Sequence, residues 1–419
     1  MTYSVLSATA KLGIAAEATA SNYVVPSFTV PFASGTRYRS VITQLYDRTA
    51  RATDTDTVDI QQGPYWSDWT VVTEAYPDWA GWLYRAMIGP DQYTPGIVTT
   101  FAAASFPGAP SVSLAAAPPA NAVLMLGSGS GVEYAQCGTP TGSGPYAVPI
   151  TTPAGGLRNA HAAGEPAQSQ AVHLFEQNRT VGAPWPSYSL TTDDGVDQLG
   201  WPCCTLGKVR LQVAATGYAK LASDWNGFPP GVPAATVSFP SVPGSATPGA
   251  ATPGDPGGAS GLTFAGQSSA QPFAGWSWGI TTAGGASTRG VSLDLALFRP
   301  LQVNPACNGY QRPLIIFPGP MRSSGSYKAI YDTPADLNLY RQAIQEPAVW
   351  TLSQPVLQGG ASIAVTLSLS GWTQGAVSLE ETYVSASYSL SGIANTTDSP
   401  NSGVASVVLT NFNQSAYAP

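Results

Sequence analysis

The chain has 419 residues, 43% of them hydrophobic and only 10% charged, against the roughly 25% charged residues of an average soluble protein. Eleven Trp, 19 Tyr and 12 Phe exclude a disordered chain, and a formal charge of −7 excludes nucleic-acid binding through a broadly basic surface. The first residues, MTYSVLSATAKLGI, lack a basic stretch followed by a long apolar core, and no run approaches the ~20 apolar residues of a membrane span. A soluble protein made in a cytoplasm, without membrane contact, is expected.

Taken in order, the chain opens on KLGIAAEATASNYVVPSFTVPF (11–32) and reaches a mixed-charge loop, YDRTARATDTDTVD (46–59), in which Arg48 and Arg51 precede Asp54, Asp56 and Asp59. A Gly-Pro turn at 63–64 then leads to a strand-like run, and Pro77 starts about three turns of helix whose apolar face is Leu83, Tyr84, Met87 and Ile88. The same pattern returns 256 residues later. Residues 63–88 lie over 319–344 without a gap, sharing Gly63/Gly319, Pro64/Pro320, Ser67/Ser323, Tyr84/Tyr340, Arg85/Arg341 and Ile88/Ile344. Further on, YAKLASDWNGF (218–228) matches YVSASYSLSGI (383–393) at an offset of 165, so the first copy carries 91 extra residues, within about 90–185. The Pro/Gly/Ala tract near 239–262 reads as a linker. Period-two alternation in KVRLQV (208–213), VSLDLALF (291–298), IAVTLSLS (363–370), YVSASYSL (383–390) and VASVVLTNF (404–412) predicts antiparallel strands. The expectation is a mainly β protein: two tandem antiparallel barrel or sandwich units, 1–238 and 263–419, each with one short α-helix.

No chemistry stands out. Cys137, Cys203, Cys204 and Cys307 form no C-x-x-C and no zinc spacing with His161 or His173; adjacent Cys203 and Cys204 on a strand read as buried thiols facing opposite ways, with a disulfide left open. Gly127, Gly129 and Gly131 lack the third glycine of a dinucleotide fingerprint and any phosphate-loop lysine, so they read as a hairpin. Asp54, Asp56 and Asp59, and Asp193, Asp194 and Asp197, lack the spacing of a calcium loop and read as solvated loops or subunit contacts. Among Glu74, Asp78, Glu380 and Glu381 nothing singles out a glycosidase pair, and no G-x-S-x-G occurs. No catalytic residue, metal or cofactor is expected, and no enzyme. The repeated arginines, Arg85 and Arg341, have two readings: charge pairs across a subunit interface, or side chains snorkelling into solvent.

Five blocks in order resemble the major tail tube protein of long-tailed, siphovirus-like bacteriophages, in the large double-barrel form of actinobacterial phages. They are 11–32, YPDWAGWLYRAMIG (76–89), the segment 185–229 from WPSYSLTTDD to SDWNGFP, WSWGITTAGGASTRGVSLDLALFRP (276–300) and the closing strands of 388–417. The resemblance implies a structural virion protein of the phage tail, synthesised in the host cytoplasm, whose rings stack into a hollow tube through which DNA passes without specific binding. Three double-barrel copies would give a ring of six barrels, and the partners it implies are further copies of the chain, the tape measure protein, the tail terminator and tail-tip proteins. The net negative charge would let a lumen repel phosphates. The loop of Arg48, Arg51, Asp54, Asp56 and Asp59 is the expected ring-to-ring contact. The competing expectations are a secreted carbohydrate-binding or hydrolytic β-protein, drawn from the many tryptophans, and a capsid decoration or tail-tip protein.

Overall fold

The computed structural model describes residues 10–20, 22–48, 57, 59–128, 131–153, 155–177, 185–193, 198–230, 271–287, 289–305, 311–380, 382–395 and 403–417. The predicted linker, 239–262, and Arg51, Asp54 and Asp56 of the predicted stacking loop lie outside the described residues. Among the described residues the fold is mainly β and antiparallel throughout, with two short α-helices.

The first part of the chain supplies β1 (Lys11–Glu17), β2 (Phe28–Thr29), β3 (Arg37–Asp47), β4 (Asp59–Glu74), α1 (Pro77–Met87) and β5 (Asp91–Thr94). A separate six-stranded sheet follows: β6 (Val98–Thr100), β7 (Ser111–Leu114), β8 (Val123–Leu126), β9 (Glu133–Cys137), β10 (Tyr146–Thr152) and β11 (Pro166–Ser169). It has its own core of Phe101, Val112, Leu114, Leu124, Leu126 and Val148. The chain then returns through β12 (Ala171–Phe175), β13 (Ser187–Asp193), β14 (Gln198–Ala214) and β15 (Lys220–Gly227). The second part holds β16 (Trp278–Thr282), β17 (Gly285–Ser287), β18 (Gly290–Phe298), β19 (Leu301–Asn304), β20 (Ile315–Pro318) and β21 (Arg322–Ile330). It closes with α2 (Ala335–Arg341), β22 (Glu346–Ser353), β23 (Ser362–Leu379), β24 (Val384–Ile393) and β25 (Ala405–Asn411).

Hydrogen-bond pairing reveals the same order twice. One half runs β3-β4-β15-β14, the other β18-β21-β24-β23. The strands aligned by sequence, β4 with β21 and β15 with β24, occupy matching places. Both long strands bend and serve two sheets. The first part of β14 pairs with β13, and so with β1 and β2; the first part of β23 pairs with β22 and β25. In β14 the change of direction falls at Cys203, whose φ of 55° is left-handed and whose N–H is held by Glu17 Oε1 at 2.8 Å. Cys203 consequently packs on Phe228 and Ile316 while Cys204 enters the main core, the opposite-face arrangement expected of adjacent strand residues. Both are free thiols.

The main core lies between the sheets and spans both halves. Trp69, Trp201 and Tyr38 meet at ring distances of 5.0–5.5 Å in the first half; Tyr327, Tyr388 and Trp372 do so at 5.0–6.4 Å in the second. Helix α1 starts on Pro77 at its first turn, and nearly every residue is buried, Asp78 and Arg85 included. Gly81 is needed there: a Cβ would stand 2.1 Å from the Tyr417 ring.

Candidate functional site

The two halves are joined edge to edge. Strand β14 of the first pairs with β18 of the second from Lys208↔Phe298 to Ala214↔Ser292, making one eight-stranded sheet, β3-β4-β15-β14-β18-β21-β24-β23. An ion pair crosses this seam on its polar face, with Arg210 Nε 2.8 Å from Asp294 Oδ1 and Gln212 Nε2 also on that carboxylate, at 3.3 Å. Among the described residues the sheet has two unpaired edges. Strand β3 pairs only with β4, and residues 371–379 of β23 pair only with β24. Neither stretch contains proline, the residue that natural sheets place to block edges.

Beyond the pair Ser67↔Gly227, the β3–β4 hairpin leaves the sheet as a two-stranded arm. It exposes Ile42, Leu45, Tyr46 and Ile60 by about half each (49–54%). The equivalent hairpin of the second half, β19–β20, exposes Leu314, Ile315 and Phe317. Gln311 links the two, donating to Gln62 O at 2.8 Å and accepting from the Tyr65 N–H at 3.1 Å. Arg48 lies at the base of the loop with its guanidinium 5.6 Å from the Tyr46 ring centre, and Asp59 accepts the Ile60 N–H at 2.8 Å.

The repeated arginines part company. Arg341 is exposed in the last turn of α2, as both readings required. Arg85 is buried, with its Nη1 donating to the Tyr188 hydroxyl at 2.7 Å. Its guanidinium therefore serves the chain's own core, which corrects the expectation of an intersubunit or solvent-exposed charge. The reason is cover: Tyr417 lies on α1, and β12 and β25 pack over it, whereas α2 leans on β23 with Tyr340 against Gly375 and its far side open.

The outer face of the eight-stranded sheet is polar, because period-two alternation sends the apolar residues to the core. From it project Arg37, Arg39, Lys208, Arg210, Lys220, Arg322 and Lys328, against Asp68, Glu74, Asp224, Asp294 and Glu380. This face is cation-rich although the chain is net negative. The β21 and β24 part is paved with Ser324, Ser326, Ser387, Ser389 and Ser391. A groove of about 690 Å³ runs over it from Glu74 on β4 to Ser389 on β24, so the face is concave across six strands.

The remaining ionisable groups are internal. Burial pushes the Asp78 carboxyl well above its ordinary value, and it accepts from Asn411 Nδ2 at 2.7 Å. His173 sits between Asp91 Oδ2 (2.8 Å) and the Asn413 carbonyl (3.2 Å); His161 sits between Glu133 (2.8 Å) and Glu165 (2.9 Å) and stacks on Phe101. Among the described residues no three metal-ligating side chains cluster, and no helix is long and apolar enough to cross a membrane. No protein-family model matches the chain, and a search of curated proteins finds no relative.

Proposed function

We propose that the chain is a ring-forming structural subunit of a hollow tube, of the phage tail-tube kind. The carrying observation is the β14–β18 seam. Inside one chain, β14 at one edge of the first half's four-stranded sheet already pairs with β18 at the edge of the second half's, while the opposite edges, β3 of the first and the end of β23 of the second, stand open. The same contact made between chains joins β23 of one copy to β3 of the next. A head-to-tail contact of this type closes into a ring when the rotation allows.

The register of that contact follows from the repeat. The bulge of β14 between Leu206 and Lys208 recurs in β23 between Trp372 and Gln374, and Val41↔Trp66 corresponds to Phe298↔Arg322. Lys208↔Phe298 then becomes Gln374↔Val41, and Gln212↔Asp294 becomes Ser378↔Arg37. Three copies give a closed barrel of twenty-four strands. At ~4.8 Å per strand its backbone diameter is roughly 37 Å before strand tilt widens it, which leaves room for a DNA duplex. The polar concave face lines the lumen, α1 and α2 lie outside it, and the arm of β3 and β4, residues 41–47 and 59–66, reaches toward the next ring. In this reading the protein belongs to the virion, with the tape measure, tail terminator and tail-tip proteins at its lumen and ends. A sugar-binding reading loses its main support, since of the eleven tryptophans only Trp276 is exposed and five are almost fully buried.

Negative-stain electron microscopy of the purified chain at rising concentration tests the proposal. Stacked rings or hollow tubes with a threefold outline are expected. Solid or sheet-like aggregates, or a monomer that stays monomeric when offered a tail-tip template, would overturn it.

A further inference from the structure

We infer that Arg37, Lys208 and Arg322 form a belt on the concave polar face that contacts the phosphate backbone of duplex DNA. This rests on the tube reading, in which that face lines the lumen, and departs from the expectation of a uniformly repelling channel. The three cations stand on one cross-strand level, because the pairings run Arg37↔Thr70↔Asp224↔Lys208↔Phe298↔Arg322 across β3, β4, β15, β14, β18 and β21. One acid shares the level, and its carboxylate is taken up by the Thr70 hydroxyl at 3.0 Å. The level therefore carries a net positive charge.

Neighbouring levels differ. Arg39 is neutralised by Asp68 at 2.7 Å, Arg210 by Asp294, and Lys328 by Glu380 at 2.7 Å. Lys220 stands directly opposite Glu74, and Lys208 likewise faces Asp224, so the uncompensated charge of the belt's level is that of Arg37 and Arg322. Arg37 and Arg322 are both exposed and have no side-chain partner among the described residues. Lys208 and Phe298 line a recess of about 480 Å³ that opens beside Ser324. At strand spacing, the belt spans on the order of 24 Å from β3 to β21, enough for one chain to meet phosphates on more than one side of a duplex groove. With the chain as a whole at −7, the attraction is local and opposed at long range, which suits a path that guides DNA without gripping it.

The test uses the full chain below its assembly concentration, a labelled 20-bp duplex and fluorescence anisotropy at a series of salt concentrations. Weak binding at low salt with a steep salt dependence is expected. In R37Q/K208Q/R322Q the magnitude of the log K against log salt slope should fall by about 2.7, the counterion release of three phosphate contacts, and R322Q alone should remove about a third of that. A control variant, R158Q/R289Q/R341Q, takes the same charge from elsewhere and should leave the slope unchanged. Absence of binding by the native chain at low salt would overturn the belt, as would an equal loss in the control. Electron microscopy of the same preparations separates the two ideas: tubes that form normally with no belt-dependent DNA contact retain the tube and sink the belt, while belt-dependent binding by a chain that never forms rings does the reverse.

Discussion

Arg299 Nε donates to the carbonyl oxygen of Met87 at 3.0 Å, so the residue that follows β18 in the second repeat holds the C-terminal end of α1 in the first. Its Nη1 reaches Gly319 O at 3.1 Å, and the guanidinium lies 4.4 Å over the Trp185 ring. A cation on the last turn of a helix also meets the negative end of its dipole. Arg299 is buried, and its replacement by Ala leaves two carbonyls without their donor, at a cost of about 2–4 kcal/mol. Lysine keeps the charge and loses the fork, so R299K should recover only part of the loss in urea denaturation. Equal stability of R299A and the native chain would show that the repeats are held by strand pairing and the shared core without the Arg299 contacts.

The C-terminal segment closes over α1. Tyr417 is buried against Trp82, His173 and Phe175, and its hydroxyl accepts from Asn411 at 2.9 Å. Tyr417→Ala should cost about 3–5 kcal/mol through the cavity it leaves. Gly81→Ala should destabilise by displacing the same ring, and the double variant should lose less than the sum of the two, because the methyl added at Gly81 then enters space already vacated. Full additivity would mean that the ring is not what Gly81 accommodates.

Asp78 makes stability depend on pH in an unusual direction for a carboxylate. Burial raises its folded pKa well above 3.8, so the folded chain keeps a proton that the unfolded chain releases. The stability this group contributes is complete below the unfolded value and is lost as pH rises from there through the raised folded value. Asp78→Asn retains an acceptor for Asn411 and removes the penalty. Its gain over the native chain should be present at about pH 7 and absent at about pH 3. A gain that is the same at both would place the origin in packing.

The interchain register can be read by crosslinking. V41C with Q374C should yield chains joined in threes on a non-reducing gel of assembled material, and R37C with Q374C, four residues out of register, should not. Cys137, Cys203 and Cys204 are buried, and both pairs are introduced into a C307S chain so that no other native thiol enters the reaction. Crosslinks that form equally well for both pairs would reject the transferred register.

Ring stacking is separable from ring closure. Replacing Leu45 and Ile60 of the arm with serine, or Asp54 and Asp56 of the loop with lysine, should shorten tubes and leave single rings intact. Unchanged tube length in both variants would move the stacking contact elsewhere on the surface.

The β class and the two helices were legible in the sequence because each rests on near neighbours. Alternation at period two needs only that one face meet a core, and the pair Tyr84-Arg85 recurs as Tyr340-Arg341 because the same helix packs on the same kind of sheet. What those side chains do was decided elsewhere. Arg85 is internal because strands and a C-terminal segment from more than 300 residues away cover α1, and Arg341 is exposed because no such cover reaches α2. The seam and its two open counterparts depend on the register between β14 and β18, and pairing at that distance leaves no local mark. Net charge was equally uninformative about the polar face: composition counts every residue alike, whereas strand alternation and cross-strand pairing sort cations onto one side of a sheet that only the folded chain assembles.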